Sequence, residues 1–268
     1  MKNRYINGFL APLLLLTISS CEEVIDIDLN SASPVVVAEG YMDMDSLCTI
    51  RLSYTTGYFQ EEDPELIEDA TVAITDETGA SEILHYSGNG IYRGDSMRGK
   101  VNGRYTATIR MDDMVFSGFS TLMPVPLIDS INYEDFPFAG HPGAELPQML
   151  VISLKRDPGR ENHFMLKFRH NGEPVGSSFD LATDSYASAG DVVQYTTFLM
   201  EHESGDTLSV EIYAIDADLL RYYSQINEAI SGGMGMSTTP YNPASNLGDG
   251  ILGYFMVRSR RDTILILP

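Results

Sequence analysis

After residue 33 the chain consists mainly of short runs in which hydrophobic and polar residues alternate, separated by glycine, aspartate, asparagine or proline. Alternation with a period of two places every second side chain on the same face of a β-strand, and the separating residues favour tight turns. The first half therefore has predicted strands at residues 35–42, 48–54, 71–76, 83–87, 105–111 and 115–121. We predict turns at residues 76–79 and 88–90.

The alternation is interrupted at residues 123–126, where Pro124 and Pro126 each lack an amide donor and restrict the residue before them to extended geometry. We place a domain boundary there. Beyond it, strands are predicted at residues 130–133, 149–155, 163–169, 192–200, 208–214, 251–258 and 263–267, with a basic turn at 258–261 between the last two. The pattern predicts a mainly β protein with two antiparallel β domains, an immunoglobulin-like sandwich at 34–123 and a β sandwich or partial barrel at 127–268.

One segment has helical spacing instead. Between residues 216 and 230 the apolar residues recur every three or four positions, as at Leu219, Ile226 and Ile230. Asp216 can cap the first turn, and the two glycines at 232–233 can end the last turn. We therefore predict a helix at 216–230 whose tyrosines pack on a sheet.

The first twenty residues have the features of a bacterial lipoprotein signal peptide. Lys2 and Arg4 precede an apolar run at residues 9–18, which is too short for a helix to cross a bilayer, since about 20 residues are needed. An aliphatic residue and two serines then lead to Cys21, whose thiol can form a thioether with diacylglycerol. We expect cleavage before Cys21, lipidation of Cys21 and a lipidated tether at 21–33; the alternative is an ordinary secretory signal with an incidental cysteine.

Charge and cysteine content narrow the functional classes. The chain has 17 basic and 38 acidic residues, a net charge of −21, so binding to nucleic acid or to anionic lipid head groups is disfavoured. With Cys21 acylated, Cys48 is the only remaining thiol and no internal disulfide can form. Cys48 alternates in phase with Ile50 and Leu52, which predicts that it lies in the core.

Several short motifs occur in a specific order: residues 34–40 (PVVVAEG), 68–72 (EDATV), 76–79 (DETG), 90–92 (GIY), 103–105 (GRY), 241–247 (YNPASNL) and 250–255 (GILGYF). With the lipidation motif, they resemble the Bacteroidota lipoprotein family catalogued as domain of unknown function 4249. The resemblance implies an outer-membrane lipoprotein whose gene often neighbours a TonB-dependent receptor. It supplies no catalytic residues.

Five residues are candidates for recognition. Tyr58 and Phe59 precede a strongly acidic loop, and Tyr241, Asn242 and Tyr254 belong to the closing motif. The closing motif is either a structural corner or a surface facing a partner barrel or ligand. The acids at 22–28 resemble the export signal of Bacteroidota surface lipoproteins, so we expect the cell surface, with a periplasm-facing outer membrane arrangement as the alternative.

No metal or cofactor is expected, although one acidic segment has the oxygen donors that calcium prefers. That segment contains Glu61, Glu62, Asp63, Glu65, Glu68 and Asp69, without the Asp-x-Asp-x-Asp-Gly order of a dedicated calcium loop. The histidines at 85, 141, 163, 170 and 202 lack the i, i+4 spacing of a zinc helix. A Gly-x-Ser-x-Gly motif is absent from the sequence.

The leading hypothesis is a non-enzymatic lipoprotein of the outer membrane, accessory to a TonB-dependent nutrient-uptake system. The second is a stand-alone surface protein that binds a glycan, a peptide, a metal complex or another small molecule. The absence of tryptophan disfavours the glycan, although 15 tyrosines could replace it. The weakest is a hydrolase, for which Asp129, Glu134 and Asp135 are the candidate acids.

Overall fold

The computed structural model describes residues 33–57, 63–135, 148–176, 179–184, 191–198, 202–231 and 241–267. The strands of the first half are β1 Val36–Asp43, β2 Leu47–Tyr54, β3 Thr71–Asp76, β4 Ser81–Tyr86, β5 Ile91–Arg98, β6 Arg104–Met111 and β7 Met114–Thr121. The second half has β8 Ile128–Asp135, β9 Gln148–Lys155, β10 His163–His170, β11 Glu173–Pro174, β12 Asp180–Thr183, β13 Val192–Phe198, β14 Thr207–Ile215 and β15 Ile251–Ile266. Helix α1, Ala217–Ser231, lies between β14 and β15.

The strands form two sheets in a sandwich-like arrangement that is not a closed barrel. The large sheet has the order β11-β10-β14-β15-β1-β2-β5-β4-β3-β6-β7, with β12 also paired to β10. The small sheet has the order β13-β9-β8. Among the described strands, β1 and β15 pair in parallel and the other pairs are antiparallel; the isolated bridge between Met44 and Gly99 is also parallel. The predicted mainly β fold is confirmed.

Alternation placed most strands correctly, as β1 illustrates. Val36, Ala38 and Met42 are buried on one face of β1, while Glu39 and Tyr41 are exposed on the other. Each strand predicted in the first half is present to within two residues at either end. The strand predicted at 192–200 is described as far as Phe198. Cys48 is fully buried and unpaired, as predicted, and burial raises the pKa of its thiol to about 12.

Strand β5 was missed because most of it is polar. After Ile91 and Tyr92 it continues through arginine, glycine, aspartate and serine, with no alternation. The carboxylate of Glu82 on β4 accepts hydrogen bonds from the backbone amides of residues 95, 96 and 97 and so takes the place of a strand partner. These bonds outweigh the effect of burial and lower the pKa of Glu82. The strand therefore depends on a side chain 13 to 15 positions away.

The predicted turn at 258–261 is wrong, because β15 is one continuous strand of 16 residues. Its basic residues all have partners that an extended strand can reach. The Arg258 guanidinium pairs with Asp43 at 2.6 Å and lies over the Tyr213 ring, with 4.6 Å to the ring centroid. Arg260 pairs with Asp262 at 3.1 Å, and Arg261 donates to the carbonyl of Pro126. With the charges neutralised, the backbone does not turn out to solvent.

Strand β15 connects the two halves of the chain. Residues 251–258 pair with β1, and residues 259–266 pair with β14. Phe255 and Val257 are buried in the core of the first half, and Leu265 packs against the core of the second half. The described residues from Pro34 onward form one compact unit. The division into domains 34–123 and 127–268 stays a prediction.

The predicted helix is confirmed, as is the packing of its tyrosines. Asp216 precedes α1 and accepts a hydrogen bond from the backbone amide of Leu219 at 2.9 Å, which satisfies a free donor of the first turn. The Tyr222 ring lies 4.9 Å from the Tyr254 ring of β15. The helix thus covers the face of the large sheet opposite the small sheet, with Met165 and Tyr213 in the same cluster.

Asp206 holds two turns of the second half together. Its carboxylate accepts hydrogen bonds from the backbone amide of Glu203 at 2.9 Å and from the side chain of Asn171 at 2.8 Å, and it lies 2.9 Å from Nε2 of His170. These contacts, the Glu203 amide above all, lower the pKa of Asp206 to about 2.

We predict that Asp206 contributes stability that is lost in acid. Its pKa is lower in the folded chain than the value of about 3.9 in an unfolded chain, so the contribution is complete above about pH 5 and disappears as the pH falls towards 2. In urea titrations, D206N should lose less stability than the native chain between pH 6 and pH 2.5. The exposed Asp249, changed to asparagine, controls for the loss of one charge. Equal pH dependence in D206N and the native chain would contradict the prediction.

Candidate functional site

The five residues predicted for recognition do not form one surface. Tyr58 and Phe59 lie outside the described residues. Tyr241 is 44% exposed and its hydroxyl donates to Glu228 at 2.7 Å, and Asn242 beside it is exposed. Tyr254 is only 3% exposed and packs under α1. Tyr241 and Asn242 are therefore accessible to a partner, whereas the Tyr254 ring is a core residue.

The closing motif serves to hold the loop before β15 in place. The Asn246 side chain accepts from the backbone amide of Phe255 at 3.0 Å and donates to the Phe255 carbonyl at 2.7 Å and to the Phe119 carbonyl at 2.9 Å. Its amide group thus replaces a neighbouring strand along the edge of β15. The backbone amide of Ser117 donates to the Leu247 carbonyl at 3.0 Å, which fixes the same loop to β7. Asn246 and Leu247 therefore form a structural corner, while Tyr241 and Asn242 of the same motif are exposed.

Asp216 makes a second connection at this corner. One of its carboxylate oxygens caps α1, and the other accepts from the Ser120 hydroxyl at 2.7 Å and from the Thr121 amide at 3.0 Å. The fully buried Ser120 hydroxyl accepts in turn from the Val257 amide at 3.1 Å. One carboxylate therefore joins α1 to β7 and, through Ser120, to β15.

Tyr254 has a polar atom without a partner. Its buried hydroxyl makes no hydrogen bond to the described residues, and burial, followed by Asp216 and Asp218, raises its pKa. Beside it is a small cavity of about 150 Å³, lined by Phe119, Asp218, Arg221, Ala244, Ser245, Asn246 and Tyr254. The cavity has room for a few water molecules at most.

A larger cavity of about 380 Å³ lies where the proline segment 123–127 faces the loop between β9 and β10. We call it the proline cavity. Its lining consists of residues 123–127, the loop residues 156–158 and 160–162, and four residues of the adjoining strands, Lys155, His163, Phe164 and Ala214. Apolar atoms make up most of its surface. Its size falls in the range of about 300–1,000 Å³ typical of small-molecule sites.

One wall of the proline cavity is held by a network around Asp184. The Asp184 carboxylate accepts from the backbone and side-chain amides of Asn162, at 3.1 and 2.7 Å, and from the Arg156 guanidinium at 3.0 Å. Burial would raise the pKa of Asp184, but these hydrogen bonds outweigh it and hold the pKa below its ordinary value. Asn162 also donates to the carbonyls of Asp157 and Arg160, both at 2.9 Å. The loop is therefore fixed before any ligand arrives.

His163 and Lys155 are two of the polar residues that line the cavity. His163 is 3% exposed; its Nδ1 lies 2.8 Å from the Thr183 hydroxyl, while Nε2 is buried without a hydrogen bond to the described residues. A carboxylate oxygen of Glu161 is 3.3 Å from Nε2 but outside hydrogen-bonding geometry. Lys155 is exposed at the rim. The sequence singled out neither residue for binding, although the prolines of segment 123–127 were noted as a break in the pattern.

The described residues do not form a site for metal binding or for hydrolysis by paired carboxylates. Among them, no three His, Cys, Asp or Glu side chains are grouped as a metal site. In the acidic segment, Glu61 and Glu62 lie outside the described ranges, and Glu68 accepts from the Tyr86 hydroxyl at 2.8 Å. Asp129 and Glu134 are exposed on β8, and the side chain of Asp135 is outside the described set.

The sequence from residue 22 to residue 264 matches the family described as Domain of unknown function (DUF4249). The chain belongs to this family. No curated protein matches the chain in sequence. Among the described residues, no helix is long and apolar enough to span a membrane.

Two solved structures have low similarity to the whole chain. A cytokine receptor complex is 11% identical, with a TM-score of 0.29, covering 86% of this chain and 95% of the other. Bovine butyrophilin is 10% identical, with a TM-score of 0.20, covering 88% of this chain and 100% of the other.

Proposed function

We propose that this DUF4249 protein is a non-enzymatic lipoprotein of the Bacteroidota outer membrane, held at the cell surface by lipid on Cys21. There it acts as an accessory or binding component of a TonB-dependent nutrient-uptake system. The observation that carries the proposal is the basic, apolar and small-residue sequence that ends at Cys21. Two or three acyl chains make attachment effectively permanent, because each buried methylene contributes about 0.8 kcal/mol.

The mature part of the chain supports a role in binding. The family match starts at residue 22, directly after the proposed lipidated cysteine. The domain that follows encloses a cavity whose wall is already fixed, and preformed walls reduce the entropy lost on binding. The exposed Tyr241 and Asn242 offer a surface for a partner.

Removing the lipidation site should release the protein from the membrane. We expect C21S to move from the membrane pellet to the soluble fraction after cell lysis, and to lose incorporation of labelled palmitate. The matched control is C48A, because Cys48 is the other cysteine and is fully buried. C48A should stay in the pellet. A C21S variant that remains in the pellet with its label would contradict the proposed anchor.

The partner is tested by affinity capture. A tag inserted in the exposed turn between β6 and β7, at Asp112 and Asp113, keeps both ends of the chain native. After reversible crosslinking in intact cells and mild detergent extraction, we expect an outer-membrane barrel of the TonB-dependent class in stoichiometric amounts. Recovery of the bait without any such barrel would exclude the transporter role and favour a stand-alone binding protein.

A further inference from the structure

We propose that the proline cavity is a binding site for a small organic acid, a molecule with an apolar body and one carboxylate. This goes beyond the proposed function, because it requires neither lipid on Cys21 nor a transporter. It rests on three features of the cavity: its apolar lining, the unused nitrogen of His163, and the unpaired charge of Lys155.

The apolar lining of the cavity determines that the body of the ligand is apolar. Residues 123–127 contribute Met123, Val125 and Leu127 together with two proline rings, and Phe164 also lines the cavity. Such a surface gains from contact with aliphatic or aromatic carbon and gains little from a hydroxyl-rich sugar. A volume of about 380 Å³ fits a single small molecule rather than a peptide.

The imidazole of His163 determines one polar contact. Buried nitrogen atoms are nearly always hydrogen-bonded, and an unsatisfied one is costly. When the Thr183 hydroxyl donates to Nδ1, the hydrogen resides on Nε2, which becomes a donor. The neighbouring Glu161 side chain is 76% exposed and can turn into solvent when a ligand enters. In this tautomer, the matching ligand atom is an oxygen that accepts a hydrogen bond from Nε2.

The charged residues at the rim determine whether the ligand is an anion or a cation. Arg156 and Arg160 also line the cavity, but each already pairs with an aspartate, Asp184 at 3.0 Å and Asp157 at 2.7 Å. Lys155 makes no ion pair with any residue in the described ranges. Glu161 also lines the cavity, and its carboxylate lies 3.3 Å from Nε2 of His163, so Lys155 is the lining cation without an acidic partner among the described residues. An unpaired ammonium beside an apolar cavity favours an anion over a neutral or cationic molecule.

The proposal can be tested by calorimetry on the full chain secreted as C21S, without detergent. Decanoate and 3-phenylpropionate serve as probes, and their neutral amides and acetate serve as comparisons. We expect saturable binding of at least one carboxylate probe at one site per chain, at least tenfold tighter than its amide. Acetate should bind far more weakly, because it lacks the apolar body.

Two pairs of variants locate the site. K155M and H163L should each weaken binding of the carboxylate about tenfold, while K100M and H85L, which remove the same groups from exposed positions, should leave it unchanged. Thermal unfolding establishes that each variant is folded. Since Lys155 is exposed, K155M decides the question even if H163L does not fold.

The proposal is overturned if no carboxylate probe binds at one saturable site, if the amide binds as tightly as the acid, or if K155M binds unchanged. These outcomes are distinct from failure of the proposed function. Membrane release and barrel capture are measured without ligand, and probe binding is measured without membrane.

Discussion

Replacing Gly253 with alanine is expected to destabilise the protein by about 3 kcal/mol or more. Gly253 lies within β15 with a φ of 85°, a conformation that other residues adopt only with strain. Its partner across the parallel pairing is Ala38 of β1, and an added Cβ would collide with the Ala38 carbonyl oxygen. Because the atoms met are backbone atoms of Ala38, rotation of a side chain cannot relieve the collision. Urea denaturation of G253A measures the effect.

The matched control for this prediction is G248A. Gly248 also has a positive φ, 104°, but in the described part of the chain no atom beyond its two sequence neighbours lies within 4 Å of the position that a Cβ would take. G248A therefore reports the conformational strain alone, which is about 1–2 kcal/mol. Equal losses of stability in the two variants would show that the close approach of β1 to β15 is not what requires glycine at position 253.

Changing Asp216 to alanine is expected to cost about 2–4 kcal/mol. The change removes the cap of α1, worth about 1 kcal/mol, and leaves the buried Ser120 hydroxyl and the Thr121 amide without their acceptor. Because the carboxylate connects α1 with β7, hydrogen exchange should speed up in both elements. The measurements are urea denaturation and amide exchange of D216A.

The control for D216A is D218A. Asp218 lies in the first turn of the same helix, where it is more exposed and pairs with Arg221 three residues later. Its loss should cost less than about 1 kcal/mol, with no change of exchange in β7. If D216A and D218A have the same effect, Asp216 acts only on the helix and the connection to β7 contributes nothing.

The sequence predicted those parts of the fold that depend on local pattern. Alternation located β1 and β2, and three- and four-residue spacing with an aspartate cap located α1. The sequence pattern missed β5, which is completed by the distant Glu82 carboxylate. It also placed a turn in β15, where Arg258 pairs with Asp43 of β1. Both errors concern polar residues whose partners are far away along the chain.

The candidate site was less predictable for a related reason. Tyr241 and Asn242 are accessible, but Tyr254 is covered by α1, and only the folded chain shows which face of β15 the helix occupies. The residues of the proline cavity, such as Pro124 and His163, lie in segments about 40 positions apart. No spacing within the sequence predicts that these two segments come together in the folded chain. A buried polar atom without a hydrogen bond, such as Nε2 of His163, can be recognised only when the burial of each atom is known.

The central claim, that the protein works while attached to a membrane by its own lipid, is tested most directly at the N-terminus. Mass spectrometry of the protein purified from membranes should find a chain that starts at Cys21, with diacylglycerol in thioether linkage to its sulfur. A mature chain with Cys21 internal, or with a free thiol at Cys21, would contradict the claim.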